Sequence, residues 1–353
     1  MKNILLIASL YKQGERIYPI IPELSKHCKL SLLTIHGMSY YGVQKHWNGS
    51  LDMREAFHKK YDTYFSEIYE NWRSIDYTQF DAIILDDCRD KGEEIPTRQI
   101  YSIVKSHNIP VFGNQHGNRD FQGHIYEIDH YKAVFDFCFL FGKWHKNELS
   151  NTNNFLIPGG IPANDVLKDY KRTNEYILII PNYLDTERGP FPVRFGDKFI
   201  EQIKLFDLQQ KYGKRVIVKL KPRDRHFANG NPYMDDVNYV KSLLAKHNIE
   251  GDVIRDTDDD NLMISQAHSV IGISSTLCLK SIQLGIPTVI LKGGNFLGMF
   301  KDYRGTCEPE YVSSMIDSQI KLGRDIEFIN KIIEGGTDYN STDIYIKQLL
   351  ERI

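Results

Sequence analysis

Three polar runs break apolar stretches of the sequence, and each carries residue types that handle phosphate or protons. The first is Gly113-Asn114-Gln115-His116-Gly117-Asn118-Arg119, directly after the apolar Ile109–Phe112. A neutral imidazole at His116 can take a proton from a hydroxyl near neutral pH. Gly117 lets the backbone approach a ligand closely. Asn118, Arg119 and Asp120 would shape the same pocket. The plainer reading leaves His116 as a hydrogen-bonding loop residue.

The second run is Lys219-Leu220-Lys221-Pro222-Arg223-Asp224-Arg225-His226. Lys219, Lys221, Arg223 and Arg225 crowd cations at the end of an apolar run, which suits a diphosphate. Strand alternation puts Lys219 and Lys221 on one face. The alternative is a solvated basic loop. The third run, Ile271-Gly272-Ile273-Ser274-Ser275-Thr276-Leu277-Cys278-Leu279-Lys280, turns from strand into helix through three hydroxyl residues. One hydroxyl suffices to cap the helix. The helix start itself attracts an anion, and the other hydroxyls can add donors to a phosphate oxygen.

Weaker candidates are Gly293-Gly294-Asn295 at a strand end, the pair Asp86-Asp87, and Trp144 with His145. The acidic run Asp256-Thr257-Asp258-Asp259-Asp260 lacks calcium-loop spacing and reads as a solvated loop opening a helix.

These runs need strands to present them, and the rest of the sequence supplies an alternating pattern. Short apolar runs without alternation, at 3–8, 29–35, 80–86, 109–113 and 134–141, suit parallel strands buried on both faces. Helical patterns lie between them at 14–27 and 99–107, and a long amphipathic stretch at 53–72. Two prolines and two glycines in 155–162 interrupt the series. A second series then follows, with strands at 176–181, 215–220, 269–273 and 288–291 and helices at 199–212, 239–247 and 276–284. The segment 326–353 is helical in pattern. The fold class is therefore α/β: two Rossmann-like, doubly wound parallel-sheet domains with a ligand expected in an interdomain cleft. The expected bounds are 1–157, a linker at 158–175, a second domain at 176–325 and a helical segment at 326–353.

Composition agrees with this class. The chain has 353 residues, 41% hydrophobic and 25% charged, enough for two ordinary cores. Net charge is −2, so no overall basic field favours nucleic acid. Five cysteines at 28, 88, 138, 278 and 307 show no CxxC spacing, which argues against a zinc site or disulfide framework and fits a reducing, cytoplasmic setting. No signal peptide or membrane-spanning run is visible.

In order and spacing these motifs resemble the nucleotide-sugar transferases of the GT-B fold. The similarity is to the bacterial surface-polysaccharide branch that includes CDP-glycerol glycerophosphotransferases, capsule Kdo transferases and polysialyltransferases. His116-Gly117 matches its His-Gly pair, and Lys219-Leu220-Lys221-Pro222 its Lys-x-His-Pro segment. Ser274-Ser275-Thr276 matches its phosphate-binding turn, and Gly285-Ile286-Pro287 its Gly-x-Pro. The stretch from Pro158-Gly159 to Asp165-Val166-Leu167 is similar to its linker. Two positions differ: Lys221 replaces the usual His, and Lys280 stands where many such enzymes carry a ribose-binding Glu.

The resemblance implies a metal-independent glycosyltransferase, with an acceptor-side first domain and a donor-binding second one. His116 would be the base. Lys219, Lys221, Arg223, Ser274, Ser275, Thr276 and Lys280 would bind the donor, with Gly117, Asn118, Arg119, Gly293 and Gly294 nearby. The donor would be CMP-, CDP- or UDP-linked and the acceptor a glycan or lipid-linked glycan, with no cofactor beyond the donor. A peripheral position at the inner face of the cell membrane is compatible with this. The rivals are a CDP-polyol phosphotransferase, a non-hydrolysing UDP-sugar 2-epimerase and a non-catalytic nucleotide-binding protein.

Overall fold

The computed structural model describes residues 1–8, 14–34, 54–86, 95–115, 135–148, 155–181, 183–185, 193–220, 236–255, 257, 259–273, 275–292 and 298–353. They form two compact units, Met1–Asp165 with Asn330–Ile353, and Val166–Ile329. The boundary falls inside the 158–175 stretch, where Pro162–Asp169 winds as a 3-10 helix.

Unit 1 is built on seven parallel strands. They are β1 (Lys2–Ala8), β2 (Cys28–Thr34), β3 (Glu67–Tyr69), β4 (Ala82–Leu85), β5 (Val111–Asn114), β6 (Phe137–Leu140) and β7 (Leu156–Pro158). Their order is β3-β2-β1-β4-β5-β6-β7. Because successive side chains point to opposite faces, β1 divides its apolar run between two cores. Ile4, Leu6 and Ala8 join one core with the helix Ile20–Leu24 and residues Tyr345, Ile346 and Leu349 of the helix Ser341–Leu350. Leu5 and Ile7 join the other, with Ile100 and Val104 of the helix Ile95–Ser106. Cover on both faces is what makes an uninterrupted apolar strand stable.

Unit 2 repeats the plan with six parallel strands. They are β8 (Tyr176–Ile180), β9 (Arg215–Lys219), β10 (Gly251–Ile254), β11 (Ala267–Gly272), β12 (Thr288–Leu291) and β13 (Thr306–Cys307), in the order β10-β9-β8-β11-β12-β13. Ile177, Ile179, Val216, Val218, Ile271 and Val289 form one core face with Leu205, Leu208, Val240 and Leu243 from the covering helices.

The expectation of two doubly wound parallel sheets is met, but several elements differ. The amphipathic stretch at 53–72 is an α-helix over Arg54–Tyr61 and a 3-10 turn over Asp62–Tyr64, and then contributes edge strand β3. Strand pairing with Ser31–Leu33 takes the backbone hydrogen bonds that a longer helix would have used. The turn-rich run at 155–162 likewise supplies edge strand β7, paired to Cys138–Leu140. The helical pattern at 14–27 is broken into a 3-10 turn, Gly14–Arg16, and the helix Ile20–Leu24, which starts after Pro19. The 326–353 segment is split into Ile326–Ile332 and Ser341–Leu350, and the latter packs on unit 1.

Trp144 and His145 are core residues. His145 is fully buried, edge-on to Phe141 and Trp144 at ring separations of 5.4 and 4.9 Å. Cys28, Cys138, Cys278 and Cys307 are buried thiols. Among the described residues, no helix is long and apolar enough to cross a membrane.

Asp165 holds the last helix. Its carboxylate accepts from the Ser341 and Thr342 N–H groups at 3.0 and 2.7 Å, a cap supplied from far away in sequence. Asp165→Ala is expected to cost about 1–2 kcal/mol. By calorimetry the unit 1 transition should move down by roughly 3–6 °C; an unchanged transition would remove this cap from the account. A second expectation concerns pH. Burial pushes the His145 imidazole down to about 3 from 6.5. The unfolded chain then binds the proton more readily, so the stability of neutral His145 is full above 6.5 and lost as pH falls towards 3. His145→Leu, which takes no proton, should flatten the decline in urea-unfolding stability between about pH 6.5 and 4. An unchanged slope would assign that decline to other groups.

Candidate functional site

In unit 2 the chain runs from β8 to β9 and β10 on one side, then places β11 on the other side of β8. In such sheets the usual ligand position is beyond the carboxyl ends of the strands at the reversal, here β8 and β11. Ile180 and Gly272 lie opposite each other at that edge. Beyond Gly272 the third polar run turns into the helix Thr276–Gln283. The turn is tight because a Cβ on Gly272 would overlap the Cys278 sulfur. Ser275 is extended and its hydroxyl accepts from the Leu277 N–H at 3.2 Å, so it is the cap. Thr276, half-buried, opens the helix. Ser274 lies outside the described residues.

The two described lysines of the expected donor site are held by internal partners. Lys219 is 3% exposed at the end of β9. Its ammonium donates to the carbonyls of Leu220 and Arg255 at 3.1 and 2.7 Å and lies 3.8 Å from the Asp260 carboxylate. A buried ammonium needs such partners, and here they tie the ends of β9 and β10 to the helix Asp260–Ser265. Lys280 donates to Asn261 Oδ1 at 2.7 Å, reaching the first turn of that helix. Asp259 caps it through the Asn261 and Leu262 N–H groups and also accepts from the Tyr170 hydroxyl at 2.7 Å. Burial raises the Asp259 carboxyl pKa, but the Leu262, Tyr170 and Asn261 donors outweigh it and hold it below the usual range. The end of the acidic run, Asp259 and Asp260, is therefore a helix start, while Asp256 and Asp258 lie outside the described residues. Lys221, Arg223, Arg225, Gly293 and Gly294 lie outside the described residues.

Sequence reading missed Asp185, which follows β8 at the same edge. Leu184 is bridged in parallel to Phe195 there. The Asp185 carboxylate accepts from the Tyr239 hydroxyl and occupies the space that a Cβ on Gly196 would fill. Burial, followed by the Asp185 carboxylate, pushes the Tyr239 hydroxyl pKa up. No local motif marks this pair, because Tyr239 is far along the chain.

In unit 1 the reversal lies between β1 and β4. Asp86, the first residue after β4, is buried there and accepts from the Tyr18 hydroxyl at 2.6 Å. Asn114 and Gln115 end β5 beside it. Asn114 Nδ2 donates to the Leu85 carbonyl at 2.6 Å, and Gln115 Oε1 accepts from the Phe141 N–H at 2.9 Å. Arg16 reaches the Gln115 carbonyl at 3.4 Å and lies over the Phe141 ring. His116, Gly117, Asn118 and Arg119 lie outside the described residues, as does Asp87. A carboxylate, a phenol and a guanidinium thus stand at the strand-end edge of unit 1, of which only Asp86 was read from the sequence. Among the described residues no three His, Cys, Asp or Glu side chains gather as a metal site.

No family model matches the chain, and no curated protein sequence matches it. Solved structures do. A UDP-GlcNAc 2-epimerase from Neisseria meningitidis bound to UDP-GlcNAc aligns over 100% of both chains, at 14% identity and a TM-score of 0.61. The Staphylococcus aureus MnaA co-structure with UDP aligns over 100% of this chain and 98% of its own, at 13% identity and 0.57. Anabaena HepE in complex with UDP-glucose aligns over 100% of both chains, at 10% identity and 0.54. At these identities the likeness shows the fold, and the chain has the two-domain, all-parallel GT-B-like architecture of the UDP-GlcNAc 2-epimerases.

Proposed function

We propose that the chain is an enzyme acting on a nucleotide-activated sugar, with a UDP-sugar as first choice. The observation that carries this reading is the Ser275-capped helix start at the β8–β11 reversal. It stands in a fold whose neighbours were crystallised with UDP-GlcNAc, UDP and UDP-glucose. A helix start and its hydroxyls favour phosphate oxygens. Lys221, Arg223 and the Ser274–Thr276 turn would hold the diphosphate, while Lys219 and Lys280 brace the strand ends and helices behind it.

The reaction we place first is epimerisation at C2 of the sugar. Its support is fold likeness to UDP-GlcNAc 2-epimerases. A C2 proton of a saturated sugar is not acidic by itself. It can leave as the bond from C1 to the diphosphate breaks, and it returns on the opposite face as that bond is remade. Charge on the departing diphosphate is stabilised by the cationic grip. In this reading His116 or Asp86 would carry the proton.

Glycosyl transfer is the second reading, favoured by the order of His116-Gly117, Ser274-Ser275-Thr276 and Gly285-Ile286-Pro287 in the sequence. It breaks the same C1–oxygen bond and needs the same grip. His116 would then take the proton of an acceptor hydroxyl.

Proton NMR of the protein with UDP-GlcNAc in D2O, without acceptor, separates the two. Appearance of the C2 epimer with deuterium at C2 is expected. UDP release that occurs only after a glycan acceptor is added would replace epimerisation by transfer. No turnover, together with no thermal shift from UDP, CMP, CDP or GDP, would end both readings. If the Ser275 hydroxyl touches phosphate, Ser275→Ala and Ser275→Gly should each weaken UDP binding about tenfold. Affinity kept by the glycine variant, which preserves most of the cap, would leave that hydroxyl with capping alone.

A further inference from the structure

We propose that Tyr345, on the last helix of the chain, is a positioning residue for the strand-end edge of unit 1. This rests on the reading that Asp86 serves the reaction. It assigns the C-terminal segment a part in that reaction.

Tyr345 is 1% exposed, and its ring stacks on Phe139 of β6 at 3.9 Å. Its hydroxyl donates to Asn114 Oδ1 at 3.0 Å, across 231 positions of sequence. The same amide donates through Nδ2 to the Leu85 carbonyl at 2.6 Å. An amide has an acceptor end and a donor end. The Leu85 carbonyl can only accept, so Nδ2 must face it, and Oδ1 is then aimed at Tyr345, whose O–H donates. The Tyr345 hydroxyl therefore holds the far end of the Asn114 amide that ties the end of β5 to the end of β4.

Both tied ends lead directly into site residues. Leu85 precedes Asp86, whose N–H donates to the Ile7 carbonyl at 3.2 Å and whose carboxylate is held by Tyr18. Asn114 precedes Gln115, whose N–H donates to the Phe139 carbonyl at 2.9 Å. Asp165, by holding the start of the helix, fixes where Tyr345 enters.

The test compares Tyr345→Phe, which keeps the ring and removes the hydroxyl, with Ile346→Val, which loosens packing of the same helix. Hydrogen exchange is read at the Asp86 and Gln115 amides, and kcat, KM and UDP affinity are measured alongside. In Tyr345→Phe, exchange at these two amides should rise about tenfold, with the rest of the sheet unchanged. For the UDP-sugar reaction, kcat should fall about tenfold while KM and UDP affinity stay within about twofold. Ile346→Val should lower only the melting temperature. Asn114→Asp keeps an acceptor for Tyr345 but loses the Leu85 donor, and should reproduce the local exchange if Tyr345→Phe folds poorly. Localised exchange without any UDP-sugar turnover in the parent protein would support the positioning role while ending the reaction assignment. Unchanged exchange at both amides, or an equal rise across unit 1 in Tyr345→Phe and Ile346→Val, would overturn the proposal.

Discussion

Parallel pairing is the constraint on which this molecule depends. Every strand in both sheets runs the same way as its neighbours, so all carboxyl ends of a sheet lie along one edge. Each return must cross a face, which covers both faces and demands apolar side chains above and below the sheet. Polar residues are pushed to the ends of strands. The strand order then reverses once in each sheet, at β1–β4 and at β8–β11, the positions where open α/β sheets usually take ligands. Asp86 stands at one reversal and Ser275 at the other. Sheet geometry alone therefore brings polar side chains to the two strand-order reversals.

A second constraint follows from chain order. Unit 1 is built from the first part of the chain but is completed by Asn330–Ile353. Tyr345, Ile346 and Leu349 fill the same core face as Ile4, Leu6 and Ile84. Without that helix, the face would expose the apolar side of its central strands. Asp165 closes the arrangement at the point where the chain leaves unit 1 for unit 2. One carboxylate thus sits at the exit from unit 1 and also anchors the helix that returns to it.

What could be read from sequence follows from how local each signal is. The central strands declare themselves through runs such as Ile4–Ala8 and Tyr176–Ile180, since burial on both faces removes any need for alternation. Edge strands β3, β10 and β13 are short and rely on a neighbour for their hydrogen bonds, so Glu67-Ile68-Tyr69 carries little signal of its own. The Ser275 cap was legible because cap and helix are adjacent. The Tyr18–Asp86, Tyr239–Asp185 and Tyr345–Asn114 pairs were not, because each joins residues 54 to 231 positions apart. Sequence spacing can nominate Asp86, but only the fold supplies its phenol partner.

Lys219 shows why a lysine at a strand end need not be a ligand. A lysine at the end of a buried strand has two ways to remain charged: reach solvent or a ligand, or gather carbonyls and a carboxylate. Lys219 takes the second course, with two carbonyls and Asp260 around its ammonium. Desolvation makes this partnership obligatory, since a bare ammonium at that depth would lose its proton or drag the strand end outward. A phosphate could recruit Lys219 only by breaking the tie among β9, β10 and the helix Asp260–Ser265. The N–H groups at the capped helix start beside β11 are fixed by the backbone and need no such rearrangement. Lys219 and Lys280, by contrast, tie together the strand ends and the helix Asp260–Ser265.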